Sequence, residues 1–324
     1  MGLFDLFSKK PKDSKPINNN SSAKRPVILY DIPSSTSHEF WGGTDSNSDF
    51  SICNFLNYVN AKPLGENNDS YARKVATLYG IHNPLKKHRE LIDNGYLKLG
   101  SKYDCLNNMK TQQLKDILKS NELSVTGSKA ALIQRIVDNI DLNTLHFQTI
   151  YVLSEKGTLY INQFIYYIEV EKYLHDGIFS LEEFEEEKKL TPNRSTKDIV
   201  WSIYNKKSIN YFKNYNQSFL RNLELCRYNL LISEKRDKEA LLHVLTVLYY
   251  DINMPYNDIT ELCIAPGIIK YIQKLASDYT DSIVDEIYKT YVPMVVFSCD
   301  TFKKIVSDII LGKKIDLSKY STLS

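Results

Sequence analysis

Glycine and proline are scarce, at 12 and 10 of 324 residues, which disfavours turn-rich β architecture and favours helices. The five cysteines, Cys53, Cys105, Cys226, Cys263 and Cys299, lie far apart and form no CxxC pair. That pattern fits reduced thiols in a cytoplasmic setting better than a disulfide framework or a zinc site. The six histidines are equally dispersed. Only His82 and His88 could face each other across a turn, and no Cys or acidic residue stands at ligand spacing beside them, so no metal is expected. Long apolar runs are missing too. Ala240 to Tyr250, the longest, carries His243 and Thr246 and falls short of the roughly 20 residues of a bilayer span. The opening Met1-Gly2-Leu3-Phe4-Asp5-Leu6-Phe7 is too short for a signal peptide, and it has Leu6 where myristoylation wants Ser or Thr. No membrane association is expected. The chain also lacks GxSxG, HExxH and GxGxxG, so no nucleophile elbow, zinc protease helix or dinucleotide loop is available. No catalytic residue, no enzymatic activity and no cofactor are expected.

What is present is helical. An apolar fraction of 43% and a charged fraction of 25% describe a soluble globular chain, and the length fits two or three domains. The net charge of +2 is too small for the whole protein to act as a polyanion binder, so any such site must come from local asymmetry. Residues 1–26 read as a disordered basic tail, with Lys9, Lys10, Lys12, Lys15, Lys24 and Arg25 against Asp5 and Asp13. Residues 27–69 read as irregular, with a short strand at Val27–Tyr30 and Phe40-Trp41 pinning a loop. From Ser70, Tyr71, Val75, Leu78 and Tyr79 recur at helical spacing up to Gly80. Asn83-Pro84 then reads as the cap and first residue of a second helix, which stops at Asn94-Gly95.

Met109 to Ile140 carries the strongest pattern. Leu114, Ile117 and Leu118 share one helical face, and Leu132, Ile133, Ile136, Val137 and Ile140 share another, with Leu123 and Val125 in the polar turn between them. Leu114-Lys115, Leu118, Leu123-Ser124-Val125, Gly127, Lys129, Leu132, Ile133 and Arg135 together resemble the SAP motif, a small helix–turn–helix unit of DNA-associated proteins. The resemblance covers about a tenth of the chain and implies nucleic-acid binding. The preceding helices also resemble a winged-helix domain. On that reading Gly95-Tyr96-Leu97 and Tyr151–Gly157 are wing strands, and the SAP-like unit is inserted between them. A helical domain with mere connectors there is an equal alternative.

Thr126-Gly127-Ser128-Lys129 is not a phosphate loop, because Glu122 stands where the first Gly is required and Ala130 follows the Lys. Ser128 can still cap the second helix and leave its first N–H groups free for one phosphate. Thr126, Gly127, Ser128 and Lys129 are therefore the expected backbone contacts, flanked by Lys115, Lys119 and Arg135. From Lys86 to Arg135 ten basic residues face five acidic ones. From Glu169 to Glu187, by contrast, eight acidic residues face Lys172 alone. Glu186 and Lys188, with Asp176 upstream, match an E-x-K nuclease spacing, but on a helix read as solvated.

The expected fold class is mainly α. A small SAP-like unit at 109–140 sits within a helix–turn–helix or winged-helix-like region, 70–157, and an all-α helical domain of six to nine helices occupies 158–324. Lys238 to Tyr250, apolar on nearly every face, is expected at its centre. The expected function is non-enzymatic binding of DNA, or of RNA, through the phosphate backbone. The alternative is a protein-interaction scaffold whose helical C-terminal domain binds a protein partner.

Overall fold

The computed structural model describes residues 45–63, 69–253, 264–291 and 296–320. The basic tail, the Val27–Tyr30 strand and the Phe40-Trp41 loop lie outside the described residues. The chain is mainly α and divides into two compact units, with the boundary between Lys172 and Tyr173. That boundary falls later than the expected one at 157/158, because the helices just after residue 157 pack on the first unit's core.

The first unit opens with a helix inside the segment read as irregular: α1, Asp49–Val59, capped by Ser48 and burying Phe50, Cys53, Phe55, Leu56 and Val59. The polar Ser51 and Asn54 are buried along with the apolar residues, so no clean stripe betrays it in sequence. Helix α2 spans Asp69–Tyr79 and α3 spans Pro84–Asp93. As expected, Asn83 caps α3, accepting from the Lys86 N–H at 3.0 Å, with Pro84 in the first turn. Strand β1, Leu97–Leu99, pairs antiparallel with β2, Tyr151–Leu153, in the register Leu97↔Leu153 and Leu99↔Tyr151. Everything from Gly100 to Ile150 is thus an excursion between two paired strands. Within it lie α4 (Lys102–Asn108), α5 (Thr111–Ser120) and α6 (Lys129–Asn139).

The chain leaves β2 directly into α7, Glu155–Gln163, and then α8, Ile165–Leu174. Phe164 divides the two helices. Ser154 fixes this exit twice, accepting from the Gly157 N–H at 3.0 Å and donating to the Gly95 carbonyl at 2.5 Å. Gly157 is required here, since a Cβ would stand 2.1 Å from the Tyr96 carbonyl oxygen. His88 is 2% exposed, stacked on Tyr151 at 4.3 Å and paired through Nε2 with the Tyr71 hydroxyl at 2.8 Å. Burial lowers its pKa to about 4.

The second unit contains α9 (Leu181–Leu190), α10 (Thr196–Lys213), α11 (Gln217–Ser233), α12 (Asp237–Asn253), α13 (Pro266–Lys274), α14 (Asp281–Thr290) and α15 (Cys299–Ile310). As its composition demands, α12 is the central helix: Leu241, Val244, Leu245, Val247 and Leu248 are fully buried. The acidic α9 is less solvated than its sequence implies. Phe184 is in the core, Glu187 is buried and bridged by Lys206 and Ser202 of α10, and Glu183 pairs with Lys207.

Candidate nucleic-acid interface

Helices α4, α5 and α6 enclose a small core of their own, built on Leu106, Leu114, Leu118, Leu132, Ile133 and Ile136. Met109, Ile117, Leu123 and Val125 pack around it. Two of the three helices were legible from periodicity. The third, α4, is too short to show a period, yet it supplies the fully buried Leu106. Val137, grouped with the apolar face in sequence, is instead exposed. It lies about 100° round the helix from Ile136, beyond the edge of the buried stripe.

The turn between α5 and α6 is held by local chemistry. Helix α5 ends with Glu122 in the left-handed region at φ 57°. The Leu123 N–H bonds back to the Leu118 carbonyl at 2.9 Å, and the Glu122 N–H to that of Lys119 at 3.1 Å. This pair of bonds is a Schellman closure, and it turns Leu123 inward onto the core. Gly127 takes φ 122°, a conformation L-residues avoid. Ser128 then caps α6, its Oγ accepting from the Ala131 N–H at 3.3 Å. The first helix-closing bond runs from the Leu132 N–H to the Ser128 carbonyl at 3.0 Å. The N–H groups of Lys129 and Ala130 precede that bond and are not consumed by the helix. They sit on exposed residues at the positive end of the macrodipole.

The seven expected site residues divide into two groups. Thr126, Gly127, Ser128, Lys129 and Lys119 are exposed, and Lys115 and Arg135 are half-buried. Two of the cations are engaged with the unit's own backbone. Lys129 Nζ donates to the Asn107 carbonyl at the end of α4, at 2.6 Å. Arg135 Nη1 donates to the Ser124 and Thr126 carbonyls at 2.6 and 3.0 Å, spanning the turn from behind. Neither engagement can be read in sequence, because all three partners are main-chain oxygens. Among the other basic residues from Lys86 onward, Lys87 is 4% exposed and tied to Glu90 and Asn47. It is spent on the fold, whereas Lys86, Arg89, Lys102 and Lys110 remain exposed.

Among the described residues no three His, Cys, Asp or Glu side chains form a metal-binding group, and no helix is long and apolar enough to cross a membrane. Lys188 of the E-x-K match donates to the Pro192 and Arg194 carbonyls at 2.9 and 3.2 Å, closing the end of α9. Burial raises Asp176 to about 6.

The family model of the SAP domain matches residues 105–141. The match begins inside α4 and ends just past α6, the three helices that share the small core. Nucleic-acid binding is the general property of such a segment. No curated protein and no solved structure matches the chain.

Proposed function

We propose that this protein is a non-enzymatic DNA-binding protein that grips the phosphate backbone through the turn and first helical turn of its SAP segment. The observation that carries the proposal is the capped start of α6. Ser128 satisfies the Ala131 N–H and leaves those of Lys129 and Ala130 exposed beside a lysine, a combination suited to one phosphate. Lys115 and Lys119 supply flanking charge. Lys129 exchanges the Asn107 carbonyl for a phosphate oxygen, a favourable trade because the new partner is charged. Arg135 acts as a positioning residue that keeps the Ser124 and Thr126 carbonyls turned away from the anion. The exposed Lys86 and Arg89 of α3 belong to a winged-helix-like frame that adds further backbone contacts. These contacts read charge and backbone shape, not base sequence.

Anisotropy titration of a labelled duplex against salt tests the proposal. Replacing Lys115 and Lys129 together by Ala removes two phosphate contacts. The slope of log K against log salt should flatten by about 1.8, at roughly 0.9 per contact. A wild-type protein that fails to bind duplex near physiological salt, or a double variant with an unchanged slope, refutes it.

A further inference from the structure

The second unit carries a surface that the SAP segment does not explain. Helix α10 borders a cleft of about 670 Å³, lined by Arg194, Trp201, Asn205, Lys206, Ile209 and Arg236 among others. Asp198 is the one carboxylate in that lining. Arg236 stands 6.0 Å from the Trp201 ring, and the Trp201 indole N–H is buried without an acceptor. The same side of α10 continues beyond the cleft. Trp201, Asn205, Ile209 and Phe212 succeed one another at intervals of three and four, one stripe of a helix. Ile209 is 58% exposed, Phe212 61%, and Tyr215, just past the helix end, 89%. Lys213 is exposed between the two aromatics.

Tyr215 is the informative residue. It occupies the left-handed position of a Schellman closure, at φ 54°. The Asn216 N–H bonds to the Tyr211 carbonyl at 2.9 Å and the Tyr215 N–H to that of Phe212 at 3.2 Å. Glycine is the residue this position favours, and a bulky side chain there is a genuine outlier. The ring is not repaid by burial, since it is the most exposed large apolar side chain among the described residues. Glu122 and Lys235 close helices at the same left-handed position, so what sets Tyr215 apart is that its aromatic ring is held in solvent there.

We infer that the α10 stripe binds an unpaired nucleic-acid strand. Bases stack on Phe212 and Tyr215, and the backbone runs toward the cleft past Lys213, Lys206, Arg194 and Arg236. Two exposed rings interleaved with cations are the composition of a stacking platform. A hydrophobic protein partner would instead want an aliphatic floor, and Ile209 is the sole aliphatic in the stripe. Lys206 is shared with Glu187, which Arg194 also attracts, and Arg236 with Glu234 and Glu239, so Lys213 carries most of the attraction. The surface lies in a different unit from the SAP segment, and the inference does not depend on that segment's reading.

The test is anisotropy of a labelled oligo-dT of about 20 nucleotides, with the duplex titration beside it. Phe212→Ala and Tyr215→Gly should each weaken oligo-dT binding about tenfold while leaving duplex binding unchanged. Tyr215→Gly should also raise Tm by about 2 °C, because glycine relieves the left-handed backbone. A merely structural tyrosine would give the opposite shift. The inference is overturned if the wild type does not bind oligo-dT near physiological salt, if either variant binds it normally, or if Tyr215→Gly lowers Tm. It is equally overturned if sedimentation shows a self-associated protein that Phe212→Ala dissociates, since the stripe would then be a contact between copies. Loss of duplex binding in the Lys115/Lys129 variant with oligo-dT binding intact would separate the two surfaces.

Discussion

Arg135→Lys separates two roles that sequence cannot distinguish, a phosphate contact and a clamp on the turn. The substitution keeps the positive charge and removes the planar group that reaches two carbonyls from one nitrogen. The bonds at stake run from Nη1 to the Ser124 and Thr126 carbonyls, at 2.6 and 3.0 Å. Hydrogen bonds from a charged donor contribute about 1.5–3 kcal/mol each when sheltered. Here the side chain is half-exposed, so the pair together is worth about 1–2 kcal/mol. Losing it should speed hydrogen exchange of the 123–129 amides about 5- to 30-fold, through easier local opening. Arg135→Met, which removes the charge as well, should give the same acceleration, because the bonds to the two carbonyls and not the charge hold the turn. Neither change should alter the salt slope of duplex binding, whereas a true phosphate contact would lower it by about 0.9. Wild-type exchange rates in Arg135→Lys, with a reduced slope in Arg135→Met, would refute the clamp.

Two further predictions concern the frame around the SAP segment. Gly157→Ala places a Cβ against the Tyr96 carbonyl, a backbone atom that cannot step aside, and should destabilise the protein by about 3 kcal/mol or more in denaturant titration; a loss under about 1 kcal/mol would show that α7 shifts freely. His88 is held neutral, its pKa lowered by burial to about 4, while the unfolded chain takes up that proton near pH 6.5. Stability should therefore fall as pH drops from about 6.5 toward 4, by at most about 1.4 kcal/mol per pH unit from this group. His88→Phe should remove that part of the slope in Tm against pH, and an unchanged slope would refute the assignment.

The sequence alone determined what one or two turns of chain can decide. The Asn83-Pro84 start of α3, the Ser128 cap, the buried faces of α5 and α6 and the central α12 are all set by neighbours a few residues away. Caps, glycine turns and 3.6-residue periods are local, so they survive in a linear reading. The resemblance of Leu114 to Arg135 to the SAP motif was legible for the same reason, and the family match covers that stretch. Tertiary structure decided everything that needed a distant partner. Helix α1 shows no clear stripe because most of its residues are buried. Helix α4 joins the small core through Leu106 although it is too short to announce itself. The strands at 97–99 and 151–153 are three residues each and gain definition only by pairing across the intervening excursion. Most consequential are the main-chain oxygens. Every residue has one, so no side-chain pattern could tell that Lys129 rests on Asn107, that Arg135 braces Ser124 and Thr126, or that Gly157 lies against Tyr96. The order of residue types placed the turn and its cations, and folding decided which of those cations are spent on main-chain oxygens.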